Sequence, residues 1–93
     1  MVDDHKRQNQ PPAFELYSTL GCHLCEEAAR LVHDVLPVDG ITVVEVDIAY
    51  DEQLMAEYGQ RIPVLRRRHD GLELGWPFTR DDVRWLKQAA QDP

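Results

Sequence analysis

Between Ala13 and Ile48 the hydrophobic pattern changes period twice, and this constrains the fold more than any other feature of the chain. Ala13 to Ser18 (AFELYS) is short, aromatic and apolar, bounded by Pro12 and a Thr-Leu-Gly turn, which is the pattern of a strand. Cys22 to Leu36 carries Leu24, Ala28, Leu31, Val32, Val35 and Leu36 at three- and four-residue spacing. That is an amphipathic helix, entered after Gly21 and left at Pro37 and Gly40. Ile41 to Ile48 (ITVVEVDI) returns to a β-branched, nearly continuous apolar run, the pattern of a strand covered on both faces. Strand, helix, strand predicts a βαβ unit with parallel strands and a right-handed crossover.

The rest of the chain reads as short elements separated by clear turn chemistry. Asp51 to Tyr58 is a short helix with Asp51 as its cap and Gly59 as its stop. Pro63 to Arg68 and Leu72 to Leu74 flank His69-Asp70-Gly71, and Asp-Gly between two strand-like runs signals a hairpin. Thr79 to Ala90 is a final helix, with Thr79 and Asp82 at the two positions of a capping box. Val83, Leu86 and Ala90, with Trp85 beside them, are its expected buried stripe. The order is β-α-β-α-β-β-α. At 93 residues there is material for one domain. Residues 13–93 are assigned to it. The polar stretch 1–12 reads as a disordered leader without the apolar segment and cleavage site of a secretory signal.

Charge and hydropathy narrow the partners. A formal net charge of -7 is the wrong sign for nucleic-acid or anionic-membrane binding. Apolar runs fall well short of a bilayer span. The basic run Arg66-Arg67-Arg68 reads as a solvated strand end. The expected state is a monomer in the cytoplasm.

The chain has two cysteines, three positions apart, in Cys22-His23-Leu24-Cys25. As a staple the pair is badly placed. A bond across so small a loop is worth only about 2 kcal/mol on the chain-entropy account, against about 4.7 for a loop of about 100 residues. As a dithiol that opens and closes it is well placed. Free cysteine has a pKa near 8.5, and the thiolate is the nucleophile. At the start of a helix, unpaired N–H groups and the positive end of the dipole favour a negative sulfur. His23 adds positive charge nearby when protonated. Glu26 and Glu27 are ordinary first-turn acids that act in the opposite sense on a neighbouring thiolate. At i and i+3 both sulfurs share one helix face. Cys22 is then the attacking thiolate and Cys25, one turn deeper, resolves the mixed disulfide. Two other readings use the same residues. One is a metal or iron–sulfur carrier built on Cys22, although a zinc site needs four ligands and the four histidines are scattered. The other is a non-catalytic binding module that keeps a relic dithiol.

Taken together, a strand, Gly21-Cys22-His23-Leu24-Cys25 at a helix start, and Ile62-Pro63 opening a later hairpin resemble the thioredoxin superfamily. YSTLGCHLCEEA is similar to small bacterial glutaredoxin-like proteins, and YGQRIPVL to the thioredoxin segment around its proline. The resemblance runs from residue 13 to about 88. It implies an α/β thioredoxin-like fold, a four-stranded mixed sheet flanked by three helices. It implies a cis peptide bond before Pro63, with Pro63 beside Cys22 and the Ile62 backbone free to pair with an extended substrate. The activity implied is thiol–disulfide exchange with protein or glutathione mixed disulfides. No cofactor is implied, and glutathione is a candidate co-substrate. The chain departs from the pattern in several places. His23 and Leu24 replace the usual Pro and aromatic residue, and Ser18-Thr19-Leu20 lacks the usual Lys. Gly75-Trp76-Pro77 replaces paired glycines, and Leu16 stands where thioredoxins bury an Asp.

Three further side chains complete the expected site. Beside the proline, Arg61 carries a fork suited to a glutathione carboxylate, and its other reading is a solvated loop residue. Trp76 stands with Phe78 where the family's substrate groove ends, and its other reading is local packing. His23, between the cysteines, is counted with Arg61 and Trp76 as a substrate-binding position.

Overall fold

The computed structural model describes residues 12–37 and 40–89. The leader assigned to the N-terminus therefore lies outside the described residues, apart from Pro12, and so does Ala90. In chain order the elements are β1 (Phe14–Ser18), α1 (His23–Val35), β2 (Val43–Asp47), a single 3-10 turn (Ile48–Tyr50), α2 (Glu52–Tyr58), β3 (Val64–Arg67), β4 (Glu73–Gly75) and α3 (Arg80–Ala89). The strands form one sheet in the order β2-β1-β3-β4. β1 pairs parallel with β2, and antiparallel pairing joins β1 to β3 and β3 to β4. This is the mixed four-stranded thioredoxin-like arrangement with three helices that the resemblance implies.

The sheet divides the interior into two layers, and the two-residue period of a strand decides which residue enters which. Phe14, Leu16 and Leu65 face a main core shared with Ala28, Val32, Val35 and Leu36 of the α1 segment, Phe78, and Val83 and Leu86 of α3. Tyr17 and Val64 point to the opposite face, against Ile48 of the 3-10 turn and Tyr58 of α2. Each fully buried Leu, Val or Phe contributes about 1.5–3 kcal/mol relative to exposure, so the larger cluster carries most of the stability.

Local chemistry fixes the element ends. Asp51 accepts from the Leu54 N–H at 3.0 Å and starts α2. Thr79 Oγ1 accepts from the Asp82 N–H at 3.1 Å, and Asp82 accepts from the Thr79 N–H at 2.8 Å, so the capping box is closed in both directions. Gly59 ends α2 in a right-handed conformation, and a Cβ there would lie 2.5 Å from the Met55 carbonyl oxygen. Close approach, not a left-handed turn, explains this glycine.

Three sequence expectations need correction. β2 is an edge strand and is not covered on both faces. Among the described residues it has a neighbouring strand on one side only, Val44 is 39% exposed, and Glu45 reaches across to His33 of α1 at 3.2 Å. Leu24 and Trp85 are not in the buried stripes of their helices, at 48% and 58% exposed. The stripe of α1 is anchored on Cys25, with Ala28, Val32 and Val35 following at three- and four-residue steps. Leu24, four residues before Ala28, borders that face but lies in the first turn of the helix and is left exposed. The basic run is not a solvated strand end throughout. Arg68 is exposed, but Arg67 is 3% exposed and its guanidinium faces the main core side.

Candidate functional site

The site is built where β1 hands the chain to α1. Gly21 turns the chain with φ +78, a left-handed value that an L side chain adopts at a cost. Cys22 follows in extended backbone as the N-cap of α1, and its carbonyl accepts the first helical hydrogen bond, from Glu26 N–H at 3.1 Å. The Cys22 Sγ itself accepts from the Cys25 N–H at 3.2 Å. A sulfur in the capping position thus takes one of the donors that a helix start leaves unpaired.

Cys22 and Cys25 are joined in a disulfide, with Cα atoms 5.1 Å apart. Their surroundings differ. Cys22 is half-buried, and Cys25 is 3% exposed at the head of the buried stripe of α1. An incoming group reaches Cys22 first. The side chains around it are open: His23 is 94% exposed at the side chain, with Nδ1 3.8 Å from Glu26, and Leu20 and Leu24 are 84% and 48% exposed. Sequence reasoning missed the two leucines as surface groups. The signal was available for Leu20, which lies in a turn outside both elements.

A groove of about 410 Å³ runs between α1 and β2 and reaches Cys25. Its lining includes Ser18, Gly21, Glu26, Glu45 and Asp47. Leu20 and Ala29 also line it, and of its three carboxylates Glu45 is paired with His33 and Asp47 caps the 3-10 turn through Ala49 N–H at 2.9 Å.

Pro63 reaches the same end of the sheet by register. Tyr17 of β1 stands opposite Val64 of β3 in antiparallel pairing, so the residues just beyond them, Ser18 and Pro63, lie together. Pro63 is buried, the Ile62–Pro63 peptide is cis, and Ile62 packs against the Tyr17–Tyr58 cluster. A second cis peptide, Trp76–Pro77, was not anticipated.

Arg61 is held by two partners. Its Nη2 donates to Glu73 of β4 at 2.6 Å, and its guanidinium carbon stands 4.9 Å from the centroid of the Tyr58 ring. Tyr58 donates its hydroxyl to the other Glu73 oxygen. Burial pushes the Tyr58 phenol above its ordinary value, and the hydrogen bond and charge of Glu73 push it further. Burial pulls Glu73 upward, but the hydrogen bonds from Tyr58 and Arg61 outweigh it, and its carboxyl titrates below the usual range. The cluster continues across the same face of the sheet. Tyr17 packs on Tyr58 with centroids 4.5 Å apart and donates to Glu15 at 2.9 Å, and Arg66 donates to Glu15 at 3.4 Å. Glu73 was not singled out in the sequence. Its role depends on the β3–β4 register, which sets it opposite Arg66.

Trp76 stands next to Pro63, its backbone N–H donating to the Pro63 carbonyl at 3.2 Å. It is half-buried, edge-on to Phe78 with centroids 5.0 Å apart, and lines a groove with Arg30, Asp34 and Arg80 beside α1. Among the described residues, no group of three or more His, Cys, Asp or Glu side chains is placed to hold a metal ion. No described helix is long and apolar enough to cross a membrane.

Comparison with known proteins agrees with this geometry. The family described as Glutaredoxin-like domain (DUF836) matches residues 13–86. A crystal structure of the X. campestris protein XcR50 superposes with a TM-score of 0.72 at 34% identity, covering 87% of this chain and 100% of that one. The solution structure of XcR50 gives a TM-score of 0.71 at 34% identity, covering 87% and 99%. No curated protein matches. With the helix-start dithiol, the sheet order and the family match in agreement, the chain belongs to the glutaredoxin-like domain family of the thioredoxin superfamily.

Proposed function

We propose that the chain is a thiol–disulfide oxidoreductase that exchanges the Cys22–Cys25 dithiol with protein disulfides or glutathione mixed disulfides. The observation that carries this reading is the unequal setting of the two sulfurs. Cys22 is reachable and accepts an N–H at a helix start, while Cys25 is buried directly behind it. In the reducing direction the Cys22 thiolate attacks one sulfur of a substrate disulfide. A Cys22–substrate bond forms, the substrate S–S bond breaks, and one thiolate leaves. The Cys25 thiolate then attacks Cys22 Sγ, forms the intramolecular disulfide and displaces the second substrate thiolate. The dithiol supplies two electrons, and the substrate disulfide takes them up with two protons from solvent and the protein thiols.

Pro63 and the Ile62 backbone flank the incoming chain in this reading, with His23 and Arg61 at its sides and Trp76 at the far end. The exposed Leu20 and Leu24 offer apolar contact to a protein partner. The protein works as a monomer in the cytoplasm, where a dithiol is kept reduced. The test is to follow reduction of insulin disulfides by dithiothreitol with and without the protein, and to seek a covalent adduct by mass spectrometry on Cys25→Ser. The expected result is acceleration by wild type, none by Cys22→Ser, and a trapped mixed disulfide at Cys22 in Cys25→Ser. A folded wild type that neither accelerates reduction nor forms an adduct on Cys25→Ser would leave a binding module as the better account.

A further inference from the structure

The core layer beneath α1 stops one rung short of the dithiol. On the face of the sheet that α1 covers, β1 presents Phe14, Leu16 and then Ser18, and β2 presents Val43 and then Glu45 and Asp47. Ser18 and Asp47 are partners in the parallel register. Where a further apolar pair would close the layer, a hydroxyl and a carboxylate stand instead, with small Ala29 of α1 on the other wall. An apolar pair there would add burial to a small core, so keeping the space open forgoes stability. The space is the groove of about 410 Å³ that reaches buried Cys25 and borders Gly21, the residue before Cys22. Leu20 and Ala29 give it an apolar wall. Its charged groups are Glu26, Glu45 and Asp47, and the described residues that line it include no Lys or Arg. His33 meets Glu45 at 3.2 Å, and the Ala49 N–H satisfies one oxygen of Asp47 without cancelling its charge. The whole chain carries -7.

Building on the exchange activity proposed above, we infer that this groove is a binding subsite for a basic side chain, lysine or arginine, close in sequence to the disulfide cysteine of a polypeptide substrate. Such a side chain matches both parts of the lining. Its aliphatic stem lies along Leu20 and Ala29, and its cationic head stays wet at the Glu45 and Asp47 carboxylates. A polypeptide is the fitting source, because its cysteine is bonded to Cys22 while a neighbouring side chain enters beside Gly21. The sheet order β2-β1-β3-β4 puts the groove on the far side of β1 from the strand that follows Pro63. Filling it therefore does not compete with a substrate backbone at Ile62.

The experiment measures second-order rate constants of the reduced full chain with symmetrical disulfides of three capped pentapeptides. These are acetyl-Lys-Gly-Cys-Gly-Lys-amide and its forms with glutamine or glutamate at both lysine positions. Each rate is divided by that of the same peptide with dithiothreitol, which removes intrinsic reactivity. In wild type the lysine peptide should exceed the glutamine peptide about two- to fivefold, the range of one partly exposed ion pair, and the glutamate peptide should be slowest. Ala29→Leu fills the groove without changing the charge, and Glu45→Gln removes a charge without filling the groove. Each should lower the lysine-to-glutamine ratio about twofold. A ratio left unchanged by either variant overturns the inference. Attraction by the net charge alone predicts a preference that survives Ala29→Leu, so that outcome counts against the subsite. Wild type provides a second test that needs no variant to fold: equal rates for the lysine and glutamine peptides overturn the inference. A wild type inert to all three peptides defeats the exchange activity itself and this inference with it, whereas normal exchange with no charge preference defeats only the inference.

Discussion

Arg67 of β3, at 3% exposure, donates through Nη1 to the carbonyl oxygen of Leu86 in α3 at 2.6 Å. Leu86 lies in the last described turn of that helix. The same guanidinium forks onto Asp70 in the hairpin turn, with Nε donating to Oδ1 at 2.9 Å and Nη2 to Oδ2. One buried cation therefore ties the hairpin to the last described turn of α3.

Arg67→Met tests that tie. The replacement fills similar space but removes the Arg67 donor from the Leu86 carbonyl and leaves Asp70 without its Arg67 fork. The expected loss is about 2–4 kcal/mol of unfolding free energy, measured by urea denaturation. A loss under about 0.5 kcal/mol, the size of an ordinary surface substitution, would mean that the contact contributes little.

Asp70 makes the tie sensitive to acid. The Arg67 fork holds its carboxyl well below the usual carboxylate range, with partial burial opposing and the Leu72 N–H adding to the shift. An aspartate with a depressed folded pKa contributes stability above its unfolded pKa of about 3.9, and that contribution is lost as pH falls through the folded value. Wild type should therefore be more stable than Asp70→Asn at pH 6, with the gap narrowing progressively below about pH 4. Thermal melts of the two proteins between pH 2 and 6 check this. A gap that stays constant across that range would sink the assignment.

These two residues also mark the limit of what was legible in the sequence. The βαβ unit, the hairpin at Asp70-Gly71 and the Thr79–Asp82 capping box are local patterns, and each formed where its residues stand. The helix-start dithiol is local as well, and it carried the site. Burial of Arg67, pairing of Arg61 with Glu73 and the edge position of β2 all depend on which strands become neighbours. Strand order is a property of the whole sheet. An apolar run such as ITVVEVDI reads the same at an edge as in the centre, and only its Glu45 and Asp47 hint that one side is open. Arg66, Arg67 and Arg68 look alike in sequence, yet the pleat sends Arg66 to the Glu15 face and Arg67 to the opposite side.

Gly21 allows a prediction that links backbone to chemistry. Its φ of +78 delivers Cys22 into the capping position, and a Cβ there would meet nothing within 4 Å. Gly21→Ala should therefore cost about 1–2 kcal/mol through backbone conformation alone, without steric conflict. Gly21→Asn should cost less, because Asn tolerates the left-handed region better. Equal losses for the two variants in chemical denaturation would contradict the conformational account.

The capping geometry of Cys22 makes the last prediction, on the reduced protein. Its sulfur sits where an N-cap oxygen normally does and accepts the Cys25 N–H at 3.2 Å. A thiolate there is favoured by that donor and by the helix N-terminus, so Cys22 should titrate below the free-cysteine value of about 8.5. Glu26 in the first turn opposes this, and removing its charge should lower the Cys22 value further. Thiolate absorbance near 240 nm, followed against pH in Cys25→Ser and in Cys25→Ser with Glu26→Gln, isolates both effects. The expected result is a single titration below about 8.5, displaced downward by a few tenths of a unit in the second protein. If Cys22 instead titrates at or above the free-cysteine value, the helix start does not activate it, and the unequal burial of the two cysteines would be their only functional distinction.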